Sequence, residues 1–178
     1  MTLARPRHAV LTGAPGAGKT TLLEAAAAAG LSTSHEVARE ILLTPGGMEL
    51  RENDPLAFAE AMLAAHLAEL EAAAAREPVV FDRGLPDVVG FLEVSGLPVS
   101  ERIDHACRAV RYHGPVLRAP AWQDIYRQDA QRIQNWEEAA ASDAAVTAAW
   151  RRYGYAVIDL PLAPVAERLT FLRAAMGV

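Results

Sequence analysis

The chain has 178 residues, 52% of them apolar and 22% charged, and a formal net charge of -5. That is one domain's worth of globular sequence with enough apolar residues to bury a core, which excludes a disordered or collagen-like chain. The mild acidity offers no bulk attraction for nucleic acid or an anionic membrane, and neither is expected as a partner. A lone cysteine, Cys107, forms no internal disulfide and is expected as a core thiol. The polar start of the chain has no signal-peptide pattern, so a cytoplasmic protein, monomeric or homodimeric, is expected. Of the 17 basic residues, 16 are arginine; the single lysine is Lys19.

In chain order, short apolar runs bounded by turn residues predict strands over 8–12, 31–36, 79–82, 115–119 and 155–160. Helical patterns over 19–29, 36–43, 54–77, 86–94, 100–110 and 164–175 separate them. In the 54–77 helix, Leu56, Leu63, Leu67, Leu70 and Ala74 predict the buried stripe, and His66 is expected to be solvated or locally satisfied. Residues 122–152 read as helical but overlong, with room for a break, and Gly154 closes them as a C-terminal cap. Strands alternating with helices predict a single α/β domain over 1–178, a five-stranded parallel sheet between two helical layers.

Between the first strand and the first helix, Gly13, Ala14, Pro15, Gly16, Ala17, Gly18, Lys19 and Thr20 fill GxxxxGK(S/T) without a gap. Glycines let such a loop wrap a phosphate with its N–H groups inward, and the helix that follows adds the positive end of its dipole. Lys19 is expected at the β and γ phosphates and the Thr20 hydroxyl on magnesium, with Thr21 continuing the nucleotide site. A chain with no second lysine cannot supply the NKxD element of regulatory GTPases, which leaves ATP as the expected nucleotide.

The remaining candidates lie at strand ends. Glu36 closes the second predicted strand and Arg39 follows one turn later on the same helix face, where both can meet an acceptor. Asp82 ends the third, placed to hold magnesium or to take a proton from an attacking hydroxyl; Arg83 beside it can bind an acceptor or the moving phosphoryl. Asp87, in the first turn of the next helix, is expected on the acceptor side, although an acid there also complements the helix dipole. Arg118, Arg127 and Arg132 make a cationic, lid-like segment around 118–138. On one unbroken helix Arg127 and Arg132 would lie about 140° apart, so a kink or hinge is needed to bring both to the phosphates. Trp122, Tyr126 and Trp136 are expected to be packing anchors.

The stretches TGAPGAGKTTL, HEVARE, FDRGLPDVVGFL, PAWQDIYRQDAQRIQNWEEA and GYAVIDLP, which together cover the chain nearly end to end, resemble the AAA_28 group of small phosphate-loop ATPase and kinase-like domains. More distantly the chain is similar to ribosylnicotinamide kinases and to thymidylate and deoxynucleoside kinases. The resemblance implies strand order 2-3-1-4-5, Glu36 as base or acceptor ligand, a functional Asp82–Arg83 pair, and Arg127 and Arg132 as lid arginines. His113, Gly114 and Pro115 depart from the regular start expected for the fourth strand.

Together these features predict an ATP- and magnesium-dependent phosphotransferase acting on a hydroxyl of a small, nucleoside-like metabolite. Lys19, Glu36, Asp82, Arg127 and Arg132 would carry the chemistry, with Glu36 preferred over Asp82 as base. A nucleotide-dependent switch that transfers phosphate only to water shares every phosphate-side residue and is the alternative.

Overall fold

The computed structural model describes residues 8–126 and 134–178. Its strands are β1 (His8–Gly13), β2 (Ser32–Thr33), β3 (Val79–Asp82), β4 (Val116–Ala119) and β5 (Val157–Asp159). Its helices are α1 (Lys19–Ala28), α2 (Val37–Leu43), α3 (Gly47–Asn53), α4 (Pro55–Ala73), α5 (Leu85–Val94), α6 (Glu101–Ala109), α7 (Trp136–Arg152) and α8 (Val165–Met176). The strands form one all-parallel sheet in the expected order β2-β3-β1-β4-β5.

Both faces of the sheet are covered, and the strands' period-2 alternation divides the core in two. Val10, Val79, Phe81 and Val116 point to one side, against Phe58 of α4, Val89 of α5 and Trp150 of α7. Ala9, Leu11, Val80 and Leu117 point to the other, against Leu22 and Ala26 of α1 and Leu172 of α8. The connection from β1 therefore leaves toward the α1 layer and that from β3 toward the α5 layer. Diverging connections open a crevice beyond the carboxyl ends of two adjacent strands, where ligands bind in such sheets.

Several expectations are corrected. β2 is two residues long, so Glu36 is not a strand residue: it is the N-cap of α2. The chain between α2 and α4 contains α3, which the sequence pattern missed. Helix α4 ends at Ala73, and its buried side is Phe58, Ala59, Met62, Leu63, His66 and Ala73, whereas Leu56 and Ala74 are exposed. Helices pack on several neighbours, so a stripe chosen for leucines alone is rotated from the true contact face.

The overlong 122–152 pattern does break. A single 3-10 turn spans Gln123–Ile125, and α7 starts afresh with Asn135 as N-cap in a reciprocal capping box with Glu138. Gly154 follows α7 at φ 81°, the left-handed closure expected of it. The irregular start of β4 also has a steric cause, since a Cβ on Gly114 would lie 1.5 Å from the His8 carbonyl oxygen. Cys107 is buried. Among the described residues no helix is long and apolar enough to cross a membrane.

Candidate functional site

The phosphate loop leaves β1 at Gly13, where φ is 114° and a Cβ would lie 2.2 Å from the Ala119 carbonyl oxygen of β4. Only glycine lets the loop turn there while the sheet stays paired. Gly18 caps α1 in the left-handed conformation, and neither a side-chain cap nor a first-turn acid competes for the helix's leading N–H groups. Those donors are left to an anion. Thr20 and Thr21 are exposed at the mouth, while Lys19 is 7% exposed and its Nζ donates to the Ala14 carbonyl at 2.6 Å. Burial, with Arg83 nearby, pushes the Lys19 ammonium down to about 8, against the pull of Asp82, Glu36 and Asp87. A triphosphate arriving beside it would restore the ammonium's ordinary proton affinity.

Asp82 closes β3 next to this lysine. Its N–H donates to Ser34 Oγ at 2.8 Å, and its Oδ1 is buried with no hydrogen-bond partner among the described residues. Burial and then the Glu36 carboxylate push it up to about 6, opposed by Lys19 and Arg83. A buried carboxylate oxygen without a donor is costly and suits a cation. Magnesium binds through one or two protein oxygens, with phosphates and water completing the set, so Asp82 Oδ1 and the Thr20 hydroxyl fit it.

Arg83 sits at φ 66°, a left-handed conformation rare for a side chain of this size. Its N–H donates to the Leu11 carbonyl, and its Nη1 to the Gly13 carbonyl at 3.1 Å and to Asp87 Oδ1 at 2.9 Å. Asp87 in turn accepts from Thr12 Oγ1, Arg83 Nη1, the Gly84 N–H and Trp150 Nε1. Its oxygens are thus committed to protein donors, and the geometry makes it the anchor that sets Arg83.

Two cavities meet here. One, of about 410 Å³, runs along the phosphate loop from Lys19 and Thr20 to Trp122, Ile125, Pro164 and Arg168. The other, of about 180 Å³, lies between α2, α4, α5 and α7 and is lined by Arg39, Phe58, His66 and Phe91 among others. Pro15, Glu36 and Arg83 belong to both walls. A phosphate on the loop and a small molecule in the second cavity would touch at Glu36 and Arg83.

Of the residues singled out in the sequence, Lys19, Thr20, Glu36, Asp82 and Arg83 are thus brought together, and Arg39 and Asp87 line the second cavity. Arg127 and Arg132 lie outside the described residues. Arg118 does not reach the crevice. It is a β4 residue held by Asp143 of α7, through Nε at 2.9 Å and Nη2 at 2.7 Å, and by Asp159 of β5. Trp122 stands in the wall of the loop cavity, whereas the Tyr126 ring packs edge-on to Trp136 and its hydroxyl donates to the Gln134 carbonyl.

Two residues were missed. Arg168 is 4% exposed; its Nη1 donates to the Ala17 carbonyl at 3.0 Å, and its Nε is buried without a partner among the described residues. His66, expected to be solvated or locally satisfied, is 5% exposed in the second cavity. Both carried the same faint signal. Arg168 shares the buried i, i+4 row of Leu172 and Met176, and His66 that of Phe58 and Met62, where apolar residues belong.

The AAA_28 family, described as an AAA domain, matches residues 8–168. The chain belongs to this family. No curated protein matches the sequence. Among solved structures, the chain is similar to deoxyadenosine kinase from M. mycoides with bound dATP, at TM-score 0.72 and 15% identity over 96% of this chain and 100% of that one. It is also similar to the NadR protein in complex with NR, at TM-score 0.65 and 17% identity, and with NAD and AMP-PNP, at TM-score 0.64 and 19% identity. Each comparison with NadR covers 96% of this chain, which spans about half the NadR length. At such identities the likeness concerns the fold, a phosphate-loop domain of nucleoside-kinase type.

Proposed function

We propose that this AAA_28 member is an ATP- and magnesium-dependent kinase that moves the γ-phosphoryl group to a hydroxyl of a small, nucleoside-like metabolite. One observation carries the reading: the cavity behind the phosphate loop shares Pro15, Glu36 and Arg83 with the loop cavity. A hydrolase needs room for water at that junction, whereas this second cavity has space for a molecule between apolar side chains such as Phe58 and Phe91 and charged ones such as Arg39 and Arg83. Kinase folds of the deoxyadenosine kinase and NadR type support the same reading.

Lys19 and the loop N–H groups would hold the phosphates, and Thr20 and Asp82 the magnesium, which when bound neutralises phosphate charge. Glu36, on the wall common to both cavities, would take the acceptor's proton; Asp82 is the nearer of the two to the expected metal. Arg83, set by Asp87, would orient the acceptor hydroxyl beside the phosphoryl group. Arg39 would bind the acceptor, and Arg127 and Arg132 would neutralise the migrating phosphoryl. A cytoplasmic monomer or homodimer that binds neither nucleic acid nor membrane completes the proposal.

The test incubates the protein with magnesium, γ-labelled ATP and a panel of hydroxyl-bearing metabolites. One acceptor class should accelerate ATP turnover and carry the label. Equal hydrolysis with every compound, altered only by a protein partner, would replace the kinase with the switch.

A further inference from the structure

The α4 side of the second cavity carries one polar side chain in an otherwise apolar row. Phe58, Met62 and His66 succeed one another at four-residue spacing on α4, and opposite them stand Val88 and Phe91 of α5 and Val146 of α7. The Phe58 and Phe91 rings are 5.4 Å apart at 60°, giving the pocket an aromatic side. His66 lines this pocket, is more than nine-tenths buried, and has no protein hydrogen-bond partner among the described residues. A ring nitrogen that reaches the cavity with no protein partner is available to a polar group entering it. Such a group is placed to find its partner in the ligand.

We propose that His66 is a specificity-determining residue for the phosphoryl acceptor, hydrogen-bonding the polar edge of an uncharged planar heterocycle that packs beside Phe58 and Phe91. This rests on the second cavity being the acceptor site. Imidazole in its neutral form offers one donor and one acceptor, which suits an amide-like or amidine-like ring edge. Burial holds His66 in that form, down at about 4, with Asp87 pulling its proton affinity up and Arg83 pushing it down. A free sugar would leave the aromatic side unfilled.

The experiment is calorimetric titration of purine and pyrimidine nucleosides, and of ribose, into the full chain saturated with magnesium and a nonhydrolysable ATP analogue. It is repeated on His66→Phe, His66→Leu and His66→Gln, with melting curves run on all. At least one nucleoside should bind the wild type and ribose should not. Affinity should fall about tenfold in His66→Phe and His66→Leu, the worth of one hydrogen bond left unmade, and return to within about threefold in His66→Gln. A merely structural histidine predicts the reverse order, because in an apolar setting Phe and Leu are the better replacements. Nucleosides that bind His66→Phe or His66→Leu as tightly as the wild type, ribose that binds as tightly as the nucleosides, or a wild type that binds no nucleoside would each overturn the proposal. Binding with the predicted His66 dependence but no label transfer to any bound nucleoside would sink the kinase reading and leave this one standing.

Discussion

Arg83 and Asp87 form a largely buried ion pair four residues apart in the chain, with Nη1 2.9 Å from Oδ1. The pair spans the end of β3 and the start of α5. It is tied to β1 by Thr12 and to α7 by Trp150, so four elements converge on one carboxylate. The arginine whose backbone is strained at φ 66° is therefore held by a carboxylate that is itself anchored to β1 and α7.

Removing Asp87 should cost more than any other single change near the site. Asp87→Ala leaves the Arg83 charge and three further donors unpaired in the interior, a loss of about 3 to 5 kcal/mol by analogy with broken buried pairs. Urea unfolding should show that drop in midpoint. Asp87→Asn, which keeps one acceptor oxygen, should recover part of it. A midpoint within half a molar of the wild type for Asp87→Ala would contradict the anchoring role.

Lys19→Arg should abolish nearly all turnover although it preserves the charge. The ammonium sits in a tight cradle, 2.6 Å from the Ala14 carbonyl, where a planar guanidinium does not fit. The same burial predicts a pH effect. Lys19 titrates near 8, and phosphate binds its protonated form. ATP affinity should therefore weaken as pH rises through 8, and nucleotide binding at pH 8 should take up protons, read as a dependence of the calorimetric heat on the buffer's ionisation enthalpy. Full activity in Lys19→Arg, or no proton uptake, would count against this picture of the loop.

Glu36 and Asp82 should separate by what they disturb. Glu36→Gln removes a proton acceptor on the wall common to both cavities and should lower kcat by about a hundredfold or more with little change in ATP affinity. Asp82→Asn removes the carboxylate charge proposed to hold the metal and should raise the magnesium concentration needed for half-maximal turnover. The two magnesium titrations decide between them: a shifted magnesium requirement in Glu36→Gln, with none in Asp82→Asn, would exchange their roles.

His66 also makes stability depend on pH. Its folded-state value near 4 lies below the ordinary 6.5, so the unfolded chain binds the proton more tightly. The stability present above pH 6.5 is then lost as pH falls toward 4, by up to ~3 kcal/mol. Asp82 works oppositely, because its raised value near 6 makes the folded state the tighter proton binder over part of the same window. The difference between wild type and His66→Gln in unfolding free energy at pH 7 and pH 4.5 isolates the histidine. That difference should shift in favour of the variant at the lower pH, and parallel curves would refute burial of a neutral imidazole.

The phosphate loop, the parallel sheet and most helices were legible in the sequence because each rests on short-range physics, whereas the strand order came only with the family resemblance. Glycines where a backbone must turn left-handed, a strand and a helix flanking them, and apolar runs of strand length are local signals. One lysine among 17 basic residues marked the position where a compact ammonium is required. The sequence by itself thus determined the nucleotide side of the crevice.

Tertiary structure decided the acceptor side. Whether Glu36 ends a strand or caps a helix depends on how far β2 pairs with β3, and whether Asp87 meets a ligand or anchors Arg83 depends on Thr12 and Trp150, 75 positions upstream and 63 downstream. Arg118 looked like a lid cation until Asp143 and Asp159, brought beside it by α7 and β5, claimed its guanidinium. His66 and Arg168 occupy apolar rows of their helices, and only the packing of other elements shows that a cavity lies over one and the phosphate loop over the other. Periodicity says which face of a helix is buried; what that face is buried against is a long-range fact, and there the proposed acceptor site lies.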